Sequence, residues 1–115
     1  MDHPCTSESA VKTIARLNDE FRSTFEGGKV LMTAAVNALP AQIQAAALSA
    51  MQTFSAFTED NDPHGEHDFG SFELAGETFF WKIDYYDETC TYGSEDPCDP
   101  DKTTRVLTLM LAKDY

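Results

Sequence analysis

The first half of the chain places apolar residues at helical spacing. In TSESAVKTIARLNDEFRSTFEGG, residues 6–28, one helical face carries Ala10, Ile14, Leu17, Phe21 and Phe25. Thr6 or Ser7 can cap its first turn, and Gly27-Gly28 can end it. We therefore predict a helix here, followed by a short strand at KVLMT.

A second apolar stripe follows Pro40 in LPAQIQAAALSAMQTFSAF. Proline is favoured at a helix start, and the stripe consists of Ile43, Ala47, Ala50, Met51 and Phe54. The many alanines favour close packing of this second helix against a sheet.

From Phe69 onward the period changes from 3.6 to 2. The runs FGSFEL and TFFWKIDYY, joined by Ala75-Gly76-Glu77, predict a hairpin. Its predicted core face carries Phe79, Trp81, Ile83 and Tyr85, whereas its other face carries Phe80, Lys82, Asp84 and Tyr86. DETCTYGSEDPCDPDK is typical of a loop, and TTRVLTLMLA predicts a last strand with Leu107, Leu109 and Leu111 on one side.

The order α-β-α-β-β-β predicts an α+β fold. We expect two helices packed on one face of a mainly antiparallel four-stranded sheet. We expect one domain over residues 1–115, with residues 1–6 as a flexible N-terminus.

Charge is concentrated in the second half. The chain has 8 basic and 20 acidic residues and a net charge of −12, of which residues 57–115 contribute 4 basic and 15 acidic side chains, a net charge of −11. Such a half would repel a phosphate backbone, so direct nucleic-acid binding is disfavoured. A basic protein surface, a cation, or simple solubility remains open.

Cysteine usage and hydropathy indicate the compartment. Cys5, Cys90 and Cys98 are an odd number without a preceding signal sequence, so we expect a reducing cytoplasm and no disulfide framework. Residues 30–57 form the longest uncharged run, but they are rich in Ala, Thr, Ser and Gln and contain Pro40, so we expect no membrane span.

The segment DNDPHGEHDFG, residues 60–70, is the strongest candidate for chemistry. Its calcium-loop spacing fails at Ser71, where a bidentate Glu is required. Its H-x-x-H pair could bind zinc with Cys90 or Cys98, although the spacing fits no standard zinc pattern. No cofactor is expected, but a divalent cation remains open, with these candidate ligands: Asp60, Asp62, His64, His67 and Asp68.

Two other interpretations of this segment remain open. One is an acid–base centre, for which the candidate catalytic residues are His64, Glu66, His67 and Asp68. The other is a rigid polar junction in which Asp and Asn bond backbone N–H groups, while Pro63, Gly65 and Gly70 shape the backbone. We favour the junction, because the chain lacks a recognisable nucleophile or oxyanion motif.

Several strings carry a family resemblance. LNDEFR, FTEDNDPHGEHDFG, FWKIDYYD, Asp99-Pro100 and TRVLTLMLAKDY resemble the small bacterial domain-of-unknown-function family numbered thirty-seven sixty-eight, from Ile14 to Tyr115. The family has no assigned activity. Its members resemble cargo of plasmids and other mobile elements, and the cysteines do not belong to its pattern.

These features lead to three functional hypotheses. The first is an acidic protein-binding module, in concrete form a mobile-element inhibitor of a nucleic-acid-acting defence system (anti-CRISPR or anti-restriction) that occupies a basic groove. The alternatives are a metal-dependent or metal-binding protein centred on DPHGEHD, and a structural or regulatory homodimer. The candidate partner-binding residues are Asp60, Asp62, Glu66, Asp68, Phe80, Asp84, Tyr86, Asp87, Glu88, Tyr92, Glu95 and Asp96.

Overall fold

The computed structural model describes residues 8–115. It contains helix α1 (Glu8–Thr24), strand β1 (Gly28–Met32), helices α2 (Ala34–Asn37) and α3 (Ala41–Gln52), strands β2 (Phe69–Leu74), β3 (Glu77–Tyr86) and β4 (Thr104–Leu111), and a 3₁₀ helix (Ala112–Asp114). The expectations for residues 1–6, the Thr6 or Ser7 cap and Cys5 lie outside the described residues.

The sheet has the strand order β1-β4-β3-β2. The β2–β3 hairpin and the β3–β4 pair are antiparallel, as predicted, but β1 lies parallel to β4. The predicted mainly antiparallel sheet is therefore corrected to a mixed one. A parallel pair is possible because a long connection through α2, α3 and the hairpin, and not a tight turn, joins β1 to β4.

The predicted count of two helices is also corrected, because the short helix α2 lies between the predicted ones. Its Val36 is fully buried. Ala34 and Ala35 favour a helix over a strand, and Thr33 occupies the N-cap position, so the chain turns into a helix directly after β1. Pro40 then precedes α3, as the sequence predicts.

The core lies between the helices and one face of the sheet. Trp81, Phe79 and Leu109 are fully buried there, in contact with Phe21 of α1 and Met51 of α3. The predicted core face of the hairpin is thus confirmed. The predicted core face of α1 is less accurate, since Leu17 is only partly buried whereas its polar neighbour Asn18 is fully buried.

Candidate functional site

The segment between α3 and β2 is built from side-chain-capped turns. The backbone N–H of Thr58 donates to Asn61 Oδ1 at 2.8 Å, and the N–H of Asp62 donates to the Thr58 carbonyl at 2.8 Å. Gly65 takes a φ of 71° and donates to the Asp62 carbonyl at 3.0 Å. These contacts are those expected of a rigid polar junction.

His67 is one of the residues that join this segment to α1. Its Nδ1 lies 2.9 and 3.0 Å from the two carboxylate oxygens of Asp19, and its Nε2 lies 3.6 Å from Asp62 Oδ2. The His67 backbone N–H also donates to both oxygens of Asp62 at 3.3 Å. The ring stacks on Phe57 with a centroid distance of 3.9 Å.

The backbone of His67 is strained. Its φ of 56° lies in the left-handed region, which costs a non-glycine residue about 1 kcal/mol or more. The surrounding contacts must therefore hold the residue in place. Asp62 contributes to this, because its side chain is 5% exposed and lies against both the ring and the backbone N–H of His67.

Arg22 lies beneath this histidine and Asp19. Its guanidinium donates to the carbonyls of Met51 at 2.8 Å and Phe54 at 2.9 Å, and to Asp19 Oδ1 at 3.0 Å. The same group lies 4.8 Å from the centre of the Trp81 ring. Burial lowers the pKa of Arg22, and Asp19 opposes that effect. Arg22 thereby ties α1 to the end of α3.

A shallow pocket of about 420 Å³, here called the His67 groove, opens beside these residues. Phe54 and Phe57 supply its apolar lining, and the remaining lining residues are polar or charged: Asp19, Glu20, Arg22, Ser23, Gln52, Ser55 and His67. His67 Nδ1 contacts the Asp19 carboxylate and Nε2 faces the buried Asp62, so both ring nitrogens are directed at carboxylates of the protein itself. This geometry gives the acid–base interpretation little support.

Glu66 turns inward, away from the groove. Tyr85 donates its hydroxyl to Glu66 Oε1 at 2.8 Å, and Asn18 Nδ2 donates to the Glu66 carbonyl at 2.9 Å and to the Tyr85 hydroxyl at 2.8 Å. Arg105 completes the network by donating from Nε to Asn18 Oδ1 and from Nη2 to the Pro97 carbonyl, both at 2.6 Å. We call these residues the Asn18 network.

Burial dominates the electrostatics of this region. It raises the pKa of Tyr85 well above its usual range and lowers that of Arg105. It also raises the pKa of Asp68, with a further contribution from the nearby Glu66 carboxylate. The Tyr85 hydroxyl is thus held as a neutral hydrogen-bond donor, which is what Glu66 requires.

The candidate catalytic and metal-binding residues do not converge on one point. Asp60 and His64 are exposed, whereas Asp62 is buried against His67. Within residues 8–115, no three His, Cys, Asp or Glu side chains are grouped so that they could hold a metal ion. Of the two cysteines considered as zinc ligands, Cys98 is disulfide-bonded, so the expectation of no disulfide was wrong, whereas Cys90 is free.

The loop after β3 forms a second pocket, here called the acidic groove, of about 460 Å³. Its lining contains four acidic residues, and Tyr92 is 74% exposed. The lining residues are Asp87, Glu88, Thr89, Tyr92, Gly93, Glu95, Asp96 and Lys102.

Asp87 organises this loop. Its Oδ1 accepts the N–H groups of Thr89 and Thr91 at 3.1 and 3.0 Å and the Thr89 hydroxyl at 2.9 Å. These bonds, led by that from Thr91, lower the pKa of Asp87. The loop therefore keeps this carboxylate charged while using it as a backbone cap.

The remaining candidate contacts lie on the sheet face opposite the helices, here called the open face. Phe80 packs on Phe69 and Tyr115 at centroid distances of 5.2 and 5.5 Å, and Asp84 pairs with Lys82 at 3.1 Å. The carboxylate of Asp84 raises the pKa of Lys82. Phe80 and Tyr86 are both partly buried, so this face is neither core nor fully solvated.

Sequence reasoning assigned Tyr85 to the core face of the hairpin but missed four other residues that hold this region together: Asn18, Asp19, Arg22 and Arg105. A signal for two of them exists, since Ile14, Asn18 and Arg22 are spaced by four and align on α1. Polar residues in line with an apolar stripe can indicate buried hydrogen bonding. No local pattern pairs Asp19 with His67, 48 residues away.

Comparison with known proteins identifies the family of the chain. Neither the curated proteins nor the solved structures contain a match. A family model described as a protein of unknown function (DUF3768) matches residues 32–114, which include all of the acidic groove, part of the His67 groove and strands β2, β3 and β4. The chain belongs to the DUF3768 family.

Proposed function

We propose that this chain is an acidic protein-binding module whose acidic groove takes a basic surface of a partner protein. The single observation that supports it best is the groove itself, where Asp87, Glu88, Glu95 and Asp96 surround an exposed tyrosine. Residues 84–101 contain seven acidic side chains and no Lys, Arg or His.

Physical chemistry favours this use of the groove. Clustered carboxylates accelerate encounter with a positive surface, and that acceleration weakens with salt. Tyr92 can add a large contact area and a cation–π face for an arginine or lysine at little cost in conformational entropy. The turns capped by Asp87 preorganise the loop, which lowers the ordering cost of binding.

We propose further that the partner is a nuclease or another nucleic-acid-binding complex. Such proteins carry basic grooves, and an acidic module can occupy one in place of the phosphate backbone. The chain would then act as an inhibitor of a bacterial defence system, anti-CRISPR or anti-restriction, encoded on a mobile element.

A charge-matched pair of variants tests the binding site. Glu88→Gln/Glu95→Gln removes two exposed charges from the acidic groove, whereas the control Glu59→Gln/Glu73→Gln removes two exposed charges elsewhere. We expect the first pair to weaken capture of a basic partner from host lysate by about tenfold or more, with the control within about twofold. Equal loss in both pairs would show that only net charge matters and would contradict a groove-specific site.

A separate experiment tests whether the chain inhibits a bacterial defence system. Expression of the chain in a host with an active CRISPR or restriction system should raise the survival of a targeted plasmid, and Glu88→Gln/Glu95→Gln should abolish the effect. Unchanged interference in such hosts, combined with groove-specific capture of a protein that does not bind nucleic acid, would reject the inhibitor while leaving the binding module in place.

A further inference from the structure

The open face of the sheet is a contact surface separate from the acidic groove. Helices α1 and α3 place Phe21 and Met51 in the core on the other side of the sheet. The open face nevertheless carries large apolar side chains: Leu31 on β1 is 52% exposed, and Tyr115, which packs on Phe80, is 74% exposed. A solvated sheet face is usually polar, so apolar side chains of this size favour a surface that another protein covers.

The charges of the open face cancel, unlike those of the surrounding surface. Residues paired directly across strands lie on the same side of a sheet, which assigns each strand residue to one face. The charged strand residues on the open face are two basic and two acidic ones: Lys29, Lys82, Glu73 and Asp84. Residues 57–115 as a whole carry 4 basic and 15 acidic side chains. A second copy of the chain, which other surfaces of this half repel, therefore meets no net charge here.

Strand β3 gives this face a self-complementary order. On either side of Ile83, Lys82 and Asp84 lie one position away, and Phe80 and Tyr86 lie three positions away. A two-fold axis that crosses the strand at Ile83 places Lys82 opposite Asp84 of a second copy, and likewise Phe80 opposite Tyr86. Lys82 and Asp84 lie 3.1 Å apart within one chain, and their side chains are 38 and 37% exposed, so a second copy can reach both.

We propose that the open face is a homodimer interface in which the sheets of two copies pack face to face with their strands antiparallel. Tyr86 bridges to Gly93 in the loop that bears the acidic groove, so this loop lies at one end of β3. A two-fold axis across the strands puts the two acidic loops at opposite ends of the dimer. An axis along the strands would put them side by side, where they repel each other. Charge thus selects the antiparallel arrangement.

The open face is large enough for a weak dimer. Its four strands lie about 4.8 Å apart and rise about 3.3 Å per residue, so the paired residues cover about 20 by 25 Å. Packing two such faces together buries on the order of 1,000 Å² in total, which reaches the lower limit of a specific interface. We therefore expect a concentration-dependent dimer with a Kd on the order of micromolar.

Analytical ultracentrifugation of charge-reversed variants tests the interface. Lys82→Glu makes the β3 part of the face acidic and Asp84→Lys makes it basic, so we expect each to raise the dimer Kd about tenfold or more. An equimolar mixture of the two should dimerise to within about threefold of the unaltered chain, because opposite charges again face each other. Arg16→Glu and Glu59→Lys make the same charge changes at exposed sites on other elements and should alter the Kd less than about twofold.

Several results would overturn the proposal. One is a chain that stays monomeric at about 1 mM, including one whose open face captures a different protein. Others are a mixture of Lys82→Glu and Asp84→Lys that does not dimerise, or equal weakening in the control variants.

NMR of the unaltered chain provides a test that does not depend on the folding of a variant. Dilution should shift the backbone amide signals of the open face, such as those of Leu31, Phe80 and Val106. Shifts confined to the helices or to the acidic groove would assign the dimer to another surface and contradict the proposal.

Discussion

At the scale of single residues, buried polar side chains hold the helices to the sheet. Asn18, Arg22 and Arg105 are 0, 3 and 3% exposed, and each is hydrogen-bonded to groups on other elements. Such groups are costly to bury, and removing one partner leaves the others unsatisfied. They give direction to the packing, because a hydrogen bond fixes orientation in a way that apolar contact does not.

Arg22→Lys is the sharpest test of this arrangement. Lysine cannot reproduce the fork that donates to Met51, Phe54 and Asp19, so we expect the free energy of unfolding to fall by about 2 to 4 kcal/mol. Arg16→Lys is the matched control, since Arg16 is exposed and pairs only with Glu20 in the contacts described. Its effect should be below about 0.5 kcal/mol in urea denaturation. Equal losses of unfolding free energy in the two variants would show that the buried Arg22 guanidinium stabilises the fold no more than the exposed Arg16 does.

Residue-level reasoning from the sequence was only partly successful. The polar junction at residues 60–68 has the turn contacts that its Asp, Asn and Gly content predicts. The partner of His67 was not predictable. Asp19 lies outside the apolar stripe of α1, where the sequence predicts a solvent-exposed charge. Only the packing of α1 brings it to the ring.

At the scale of elements, close contact between strands determines the hairpin. Gly70 on β2 lies opposite Trp81 on β3, and a side chain at residue 70 would overlap the indole ring. The Trp81 indole N–H is buried without a hydrogen-bond partner among residues 8–115. Phe54 and Phe57 pack edge to face on the Trp81 ring, with centroid distances of 5.5 and 6.1 Å.

Gly70→Ala tests that close approach. The added methyl group must displace Trp81 or part the strands, so we expect a loss of about 1 to 3 kcal/mol in the free energy of unfolding. Gly93→Ala is the control, since its nearest contact would be the Tyr85 carbonyl at 3.9 Å. Near-ultraviolet circular dichroism should show an altered tryptophan signal in the first variant alone. Unchanged stability and spectrum would mean that the indole ring can move aside freely.

The elements themselves were largely predictable, but their neighbours were not. Alternation in FFWKIDYY assigns Trp81 to the buried face, as the structure confirms. The local sequence does not predict that β1 pairs with β4, because hydrophobic periodicity identifies a strand but not the strand beside it. The short helix α2 was missed because its four residues make about one helical turn, which is too short for a helical periodicity to be recognised.

At the scale of the whole molecule, charge is distributed unevenly over the fold. The acidic groove and the loop that bears it extend from the ends of β3 and β4, whereas α1 to α3 belong to the half with nearly balanced charge. Within residues 8–115, no helix has the length and apolar character to cross a membrane. Self-repulsion in the acidic half opposes compaction of the chain at low ionic strength.

Salt should therefore stabilise the fold. Raising NaCl from 20 to 300 mM shortens the screening length several-fold, so we expect Tm to rise by about 2 to 4 °C. In Glu88→Gln/Glu95→Gln the increase should be smaller, because part of the repulsion is already removed. A Tm that falls with salt would show that specific ion pairs, such as Arg22–Asp19, outweigh the net repulsion.

The sequence by itself determined the α+β class, the main helices and strands, the core face of the hairpin and the acidic character of residues 57–115. These properties follow from local periodicity, turn chemistry and composition, each of which acts over a few residues. The tertiary structure alone decided the parallel β1–β4 pair, the Asn18 network and the position of His67 between Asp19 and Asp62. These contacts join residues far apart in the chain, where orientation in space, and not spacing along the sequence, sets which groups meet.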